Sequence, residues 1–272
     1  MKKIFAVVLA LSMLLALAAC GGKTETEVTT EAPVATGTEA EPVDTAATPS
    51  DVAGQKLAVM THDEYVAAEL DSPVCVETYV QAKQSWWDNK ATVYCQSPDG
   101  AYFAYNMVCS EEDYAKLELG TKIQIVGYKT EWSGEVEIAE GATFTVLEGE
   151  EPYIAEPLDV TAMLGTDELI QHQNEFVKFT GMTVEAKKDA DGNDVAFLYK
   201  WDGSGEEGDD LYFDVSYNGQ TYTFTVESYL TGLGTNVYDQ VREMKVGDTV
   251  DLQGFLYWYE GVNPHITAML LG

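Results

Sequence analysis

The segment Leu117-Glu-Leu-Gly120-Thr-Lys-Ile-Gln-Ile-Val-Gly127 returns 127 residues later as Met244-Lys-Val-Gly247-Asp-Thr-Val-Asp-Leu-Gln-Gly254. Seven residues past each copy stands another glycine, Gly134 and Gly261, so the offset holds through the block. Each half also has a valine-rich stretch ending in Ala-Lys, Val74 to Lys83 and Val177 to Lys187. A repeat unit of domain size, present twice, predicts two related domains in tandem and not a solenoid, whose units are shorter and more numerous. Acids and prolines between Glu148 and Pro157 break the patterns on either side. The reading is therefore two domains, 56–150 and 151–272.

Within each half the dominant period is two, the period of half-buried strands. In the first, Thr61 followed by Asp63 and Glu64 predicts the start of a short helix. Strands are predicted at 74–82, 91–96 and 101–108, the last two joined by Ser97-Pro98-Asp99-Gly100. Proline second and glycine fourth suit a type I turn. Ser110 before three acids opens a second helix, Gly120 ends it, and strands at 121–128 and 135–138 follow. In the second half Asn218-Gly219 joins runs 211–217 and 220–226 as a hairpin, because both central residues take positive φ. Leu211, Phe213 and Val215 then share one face with Tyr222, Phe224 and Val226. Residues 236–245 predict a helix leading into the strand after Gly247.

Three strands, a helix and two strands, with a glycine in the fourth strand where a barrel bends, resemble the OB-fold, a five-stranded Greek-key barrel. The fold class expected is all-β, two tandem OB-fold-like barrels. More narrowly, residues Ser97 to Met107, Gly120 to Ile138 and Gly247 to Ile266 resemble the tandem OB-fold lipoproteins of Gram-positive gut-type bacteria. That resemblance implies a fold and carries no activity with it.

Ahead of the barrels, Met1-Lys2-Lys3 and the apolar run Ile4 to Leu17 have the layout of a secretory signal segment. It ends in Leu17-Ala18-Ala19-Cys20, which resembles the lipobox of bacterial lipoproteins. The resemblance implies cleavage before Cys20 and a lipid anchor there, with residues 1–20 as signal, on the extracytoplasmic face of the cell membrane. Residues 21–55 hold eight threonines, three prolines, seven acids and no aromatic residue, a composition expected to stay disordered as a tether. The whole chain carries 46 Asp and Glu against 15 Lys and Arg, a formal charge of −31, and Arg242 is its single arginine. This balance argues against a nucleic-acid partner, which needs basic groups to neutralise phosphates.

OB-folds take ligands on the face of strands two and three, between the loops joining strands one to two and four to five. The first domain offers Trp86 and Trp87 in one such loop, Trp132 in the other, and Tyr94, Tyr102 or Tyr105 on the face. The second offers Tyr257, Trp258 and Tyr259, with Phe255, Tyr257 and Tyr259 on one side of the strand and Leu256 and Trp258 on the other. Flat aromatic surfaces suit sugar rings, peptides or bases alike. The structural alternatives are rings that cap barrel ends or pack one domain on the other.

The acidic runs 189–194 and 202–210 invite a calcium reading. In the first, however, glycine falls fourth and no glutamate follows at twelve. Cys75, Cys95 and Cys109 allow one disulfide and one thiol, or three thiols, and lack the close spacing of a zinc site. No nucleophile elbow, P-loop or dinucleotide fingerprint is present, so neither catalysis nor a cofactor is expected. The function expected is a lipid-anchored binding or scaffolding protein for a glycan, peptide or protein. The alternatives are an OB-fold nucleic-acid-binding or nuclease-associated envelope protein and a calcium-dependent structural lipoprotein.

Overall fold

The computed structural model describes residues 51–52 and 55–271, with side chains from 56 to 270. The signal segment, Cys20 and most of the tether lie outside the described residues. The described residues fall in one compact unit, and it contains both barrels.

The first barrel opens with α1 (His62–Ala67). The Thr61 hydroxyl accepts from the Glu64 N–H, and the Glu64 carboxylate accepts from the Thr61 N–H, which is the reciprocal capping box. Five strands follow: β1 (Pro73–Lys83), β2 (Lys90–Ser97), β3 (Gly100–Val108), β4 (Lys122–Trp132) and β5 (Glu135–Ile138). Between β3 and β4 lies α2 (Glu111–Lys116), capped by Ser110. The strands are ordered β1-β2-β3-β5-β4, and β4 pairs back onto β1 to close the barrel. The β3–β5 contact is parallel, through Ala104 and Ile138. A further strand β6 (Thr143–Val146) extends the sheet from β4.

The second barrel repeats this with β7 (Phe176–Glu185), β8 (Leu211–Tyr217), β9 (Gln220–Val226), α3 (Asn236–Glu243), β10 (Thr249–Phe255) and β11 (His265–Leu271). The order is β7-β8-β9-β11-β10, closed by β10 on β7, with β8 also paired to β7 and β9 parallel to β11 through Thr225 and His265. The hairpin register sets Leu211 against Val226, Phe213 against Phe224 and Val215 against Tyr222. Both halves thus close with the OB strand order. Residues 147–157, where the patterns break, contain no strand or helix.

The repeated glycines record this closure. Gly120 (φ +84°) and Gly247 (φ +90°) turn the chain into the fourth strand through the left-handed region. A Cβ on Gly254 would lie 2.1 Å from the His265 carbonyl oxygen, and one on Gly127 would lie 2.7 Å from Ala142 Cβ. The fourth strand bends where its neighbour passes too closely for a side chain.

Each barrel has its own core, the first around Val76, Cys95, Tyr102 and Ile125, the second around Phe179, Phe213, Phe224 and Leu252. A third buried cluster, Tyr94, Phe103 and Phe255, lies between them. The cysteine alternatives resolve to three thiols: Cys75, Cys95 and Cys109 are free and buried. Burial pushes the Cys109 thiol up to about 11, a non-reactive setting.

Candidate functional site

In the second barrel the alternation that sends Leu211 and Phe213 inward turns Tyr212 and Asp214 outward, beside Thr223 of β9. This is the outer face of strands two and three. The long loop from β7 to β8 borders it on one side with Trp201, and the loop from β10 to β11 borders it on the other with Tyr257, Tyr259, Glu260 and Asn263. Between them lies a groove of about 700 Å³, completed by Lys187 and His265. Trp201 is 74% exposed and Tyr259 50%, while Tyr212 and Tyr257 are half-buried on the floor.

The polar groups of the groove are tied to one another. Lys187 Nζ donates to Asp214 Oδ1 at 2.8 Å, and that oxygen also accepts from Thr223 Oγ1 at 2.7 Å. Asn263 Oδ1 accepts from Thr225 Oγ1 at 3.0 Å. His265 stacks on Tyr257 at 4.2 Å between centroids, and its Nδ1 lies 2.6 Å from the hydroxyl of Tyr94 in the first barrel. Burial holds the His265 pKa down at about 3, so the ring is neutral. The Tyr94 oxygen also accepts from Gln84 Nε2 at 3.4 Å. Burial, with the carboxylates of Asp210 and Glu227 nearby, pushes the Tyr212 phenol up to about 12.

The corresponding face of the first barrel is covered. Tyr94 stacks on Phe255 at 4.6 Å, and Phe103 meets Tyr257 edge-on at 5.3 Å. Around this apolar seam the barrels exchange hydrogen bonds. Phe176 N–H donates to Gln96 Oε1 at 2.7 Å, Ser85 N–H to the Tyr229 carbonyl at 2.7 Å, and Trp258 N–H to Glu135 Oε2 at 2.8 Å. Glu135 is fully buried, and burial raises its carboxyl well above the usual range.

The aromatic residues singled out from the sequence therefore divide. Tyr257 and Tyr259 line the groove. Tyr94 lies on the predicted face beneath the second barrel, 1% exposed, and Tyr102 points into the first barrel's core against Tyr65 at 5.0 Å. Trp86 is half-buried and donates from Nε1 to the Cys109 carbonyl at 2.9 Å. Trp87 (52%), in the loop after β1, and Trp132 (61%), at the end of β4, are exposed and do not line the groove. Trp258 turns from the groove toward the second core and Gly134.

Of the groove's Trp and Tyr residues, Trp201 and Tyr212 are absent from the sequence-based candidates. Tyr212 was legible, because it alternates with Leu211 and Phe213 on the second strand. Trp201 sits beside an acidic loop, and no local pattern marks it.

The acidic runs spend their carboxylates on the chain itself. Asp189 accepts from the N–H groups of Asp191 and Asn193, and Asp202 accepts from Ser204. Among the described residues no three or more His, Cys, Asp or Glu converge as a metal site.

No family model matches the sequence, and no curated protein is similar to it. Among solved structures, the chain is similar to the Ifi202 HINa domain in complex with 20bp dsDNA, at 12% identity and TM-score 0.32, covering 75% of this chain and 96% of that one. It is also similar to a Replication Protein A heterotrimer bound to ssDNA, at 12% identity and TM-score 0.30, covering 74% and 49%. A third is a deletion mutant of the single-stranded DNA binding protein from Thermus aquaticus, at 12% identity and TM-score 0.22, covering 74% and 93%. The exclusion of nucleic acid drawn from net charge is corrected by these DNA-binding structures. Net charge averages over a whole surface, whereas phosphate contacts are made locally. By the closed strand order of each half, the chain is a tandem OB-fold protein.

Proposed function

We propose that the chain is a non-catalytic binding protein whose second barrel takes an oligosaccharide in the groove between Trp201 and Tyr259. The observation that carries this reading is the groove's position: it occupies the face and the two loops where OB-folds take oligosaccharides and oligonucleotides. It has two exposed rings at its rims and two on its floor. The apolar face of a sugar ring packs on such rings, while Thr223 and Asn263 offer polar edges to hydroxyls. The first barrel then acts as a support, since its own face is covered by the second.

Titrating tryptophan fluorescence with an array of neutral oligosaccharides tests the reading. Trp201→Ala and Tyr259→Ala should each lower affinity about tenfold, near the upper end for one stacked ring. The melting temperature should not move, because both side chains are largely exposed. Affinity unchanged in both variants would remove the groove as the site. Single-stranded nucleic acid is the second reading, favoured by the same rings because every base has a stacking face. Binding of a DNA 12-mer that weakens steeply between low and high salt, with no oligosaccharide bound, would select it.

The proposal places this protein on the extracytoplasmic membrane face through Cys20, in line with the resemblance to tandem OB-fold lipoproteins. Support comes from the apolar run and Leu17-Ala18-Ala19-Cys20. Each buried methylene of an acyl chain contributes about 0.8 kcal/mol, and several chains together hold stably. The mature protein should begin at Cys20 and carry the mass of its acyl groups, and Cys20→Ser should release the protein from the membrane fraction. A membrane-extracted protein whose intact mass still includes Met1 would refute the anchor.

A further inference from the structure

Lysines cover aromatic rings at four places outside the groove. Lys83 Nζ lies 3.9 Å from the Tyr114 centroid, Lys90 5.1 Å from Trp87, Lys129 5.4 Å from Tyr65 and Lys122 5.9 Å from Tyr79. Among the described residues, no lysine or arginine sits over Trp201, Tyr212, Tyr257 or Tyr259. The one basic side chain lining the groove, Lys187, is 15% exposed and held by Asp214, so its charge is already matched. Negative charge also stands at the groove. Glu260 is exposed on the rim, and Asp210 stands near Tyr212 on the floor.

Taking the groove as the ligand site, as proposed above, we propose that its ligand carries an alkylated ammonium group, seated against the exposed rings of Trp201 and Tyr259. The face of an aromatic ring carries the negative lobe of its quadrupole, and a cation within about 6 Å is attracted to it. Alkylation matters because a bare ammonium is strongly hydrated and costly to strip of water. A methylated one spreads its charge over apolar surface that the rings can cover. A formal charge of −31 over the chain adds a field that concentrates cations at the surface.

The test uses choline and its uncharged carbon isostere, dimethylbutanol, which share size and shape and differ in charge. Each is titrated into the full chain while tryptophan fluorescence and the ring signals of Trp201 and Tyr259 are followed by NMR. Choline should bind at least about tenfold more tightly than the isostere, the difference a cation over desolvated rings supports. Trp201→Ala and Tyr259→Leu should abolish that preference, and Tyr259→Phe, which keeps the ring, should retain it. Trp201 and Tyr259 lie at exposed positions, so loss of fold does not confound the result, and circular dichroism checks it. Equal binding of choline and isostere would overturn the ammonium proposal while leaving the groove as a binding site. Oligosaccharide binding at the groove with no response to choline would do the same. No response there to choline, isostere, oligosaccharide or DNA would overturn both readings.

Discussion

Replacing Phe255 by alanine is expected to lower stability by ~3–5 kcal/mol, the cost of emptying a buried phenylalanine site, and to divide one unfolding transition into two. Phe255 is 3% exposed at the end of the fourth strand of the second barrel. Its ring stacks on Tyr94 of the first barrel at 4.6 Å and tilts against Phe176 at 5.4 Å. The cavity would therefore open in the seam and leave both cores filled. Lost contacts fall on the coupling between barrels, since Tyr94 would lose the second-barrel ring stacked on it and keep only its own barrel's Phe103 at 5.0 Å. Calorimetry at a fixed pH would show the split. Trp132→Ala serves as the control, because Trp132 is 61% exposed and should change little. A single transition at the wild-type midpoint would mean that the seam does not join the barrels energetically. The same variant reaches the groove, because Tyr257 is positioned by Phe103 on one side and by His265, itself held by Tyr94, on the other.

This seam marks where sequence reasoning stops. The barrel itself was legible, because each element answers to a local rule. Thr61 and Ser110 cap helices, Asn218-Gly219 forces a hairpin, and the repeated glycines stand where backbones cross. Alternation also put Phe255 and Tyr257 on one side of their strand and Leu256 on the other, and the structure places Leu256 in the second core and Phe255 with Tyr94 in the seam. Alternation names the side a residue takes and is silent on what lies there. Whether an outward face meets water, ligand or another barrel depends on docking, which has no period. For that reason Tyr94 read as a ligand contact and became buried, while Tyr212, obeying the same alternation in the other barrel, remained on an open face. Tyr102 failed differently. The register between β2 and β3 shifts between Ala91 and Val93, and Tyr102 pairs with Cys95, whose side chain is also in the core.

Raising the pH from about 5 to 8 is expected to destabilise the protein by several kcal/mol, and Glu137→Gln should remove part of that loss. Burial raises the Glu137 and Glu227 carboxyls to about 7 from an ordinary 4.5, with Asp210 adding to the effect at Glu227, and raises Glu135 well above its usual range. An acid whose folded pKa is raised binds more protons folded than unfolded between the two values, so stability falls with pH there. The contribution is complete below about 4.5 and is lost as the pH passes through about 7. At Glu137, 7% exposed, that loss is on the order of 2–3 kcal/mol. His265 acts with the opposite sign. Its folded pKa is depressed to about 3 from 6.5, so it costs stability only as the pH falls below 6.5. From pH 6.5 upward the carboxylates act alone among these groups. Denaturant titrations from pH 4.5 to 8 should therefore show a falling curve for the wild type and a flatter one for Glu137→Gln, the His265 contribution being common to both. The variant should be the more stable of the two at pH 8 and no better than wild type at pH 4.5. Parallel curves would show that Glu137 ionises in the folded protein as it does in the unfolded chain. In that case the loss would be carried by Glu135 and Glu227, each with a carboxylate oxygen buried without a hydrogen-bond partner. Glu135→Gln would then be a variant that flattens the curve, because it keeps the shape of the side chain and removes the charge that the seam cannot solvate.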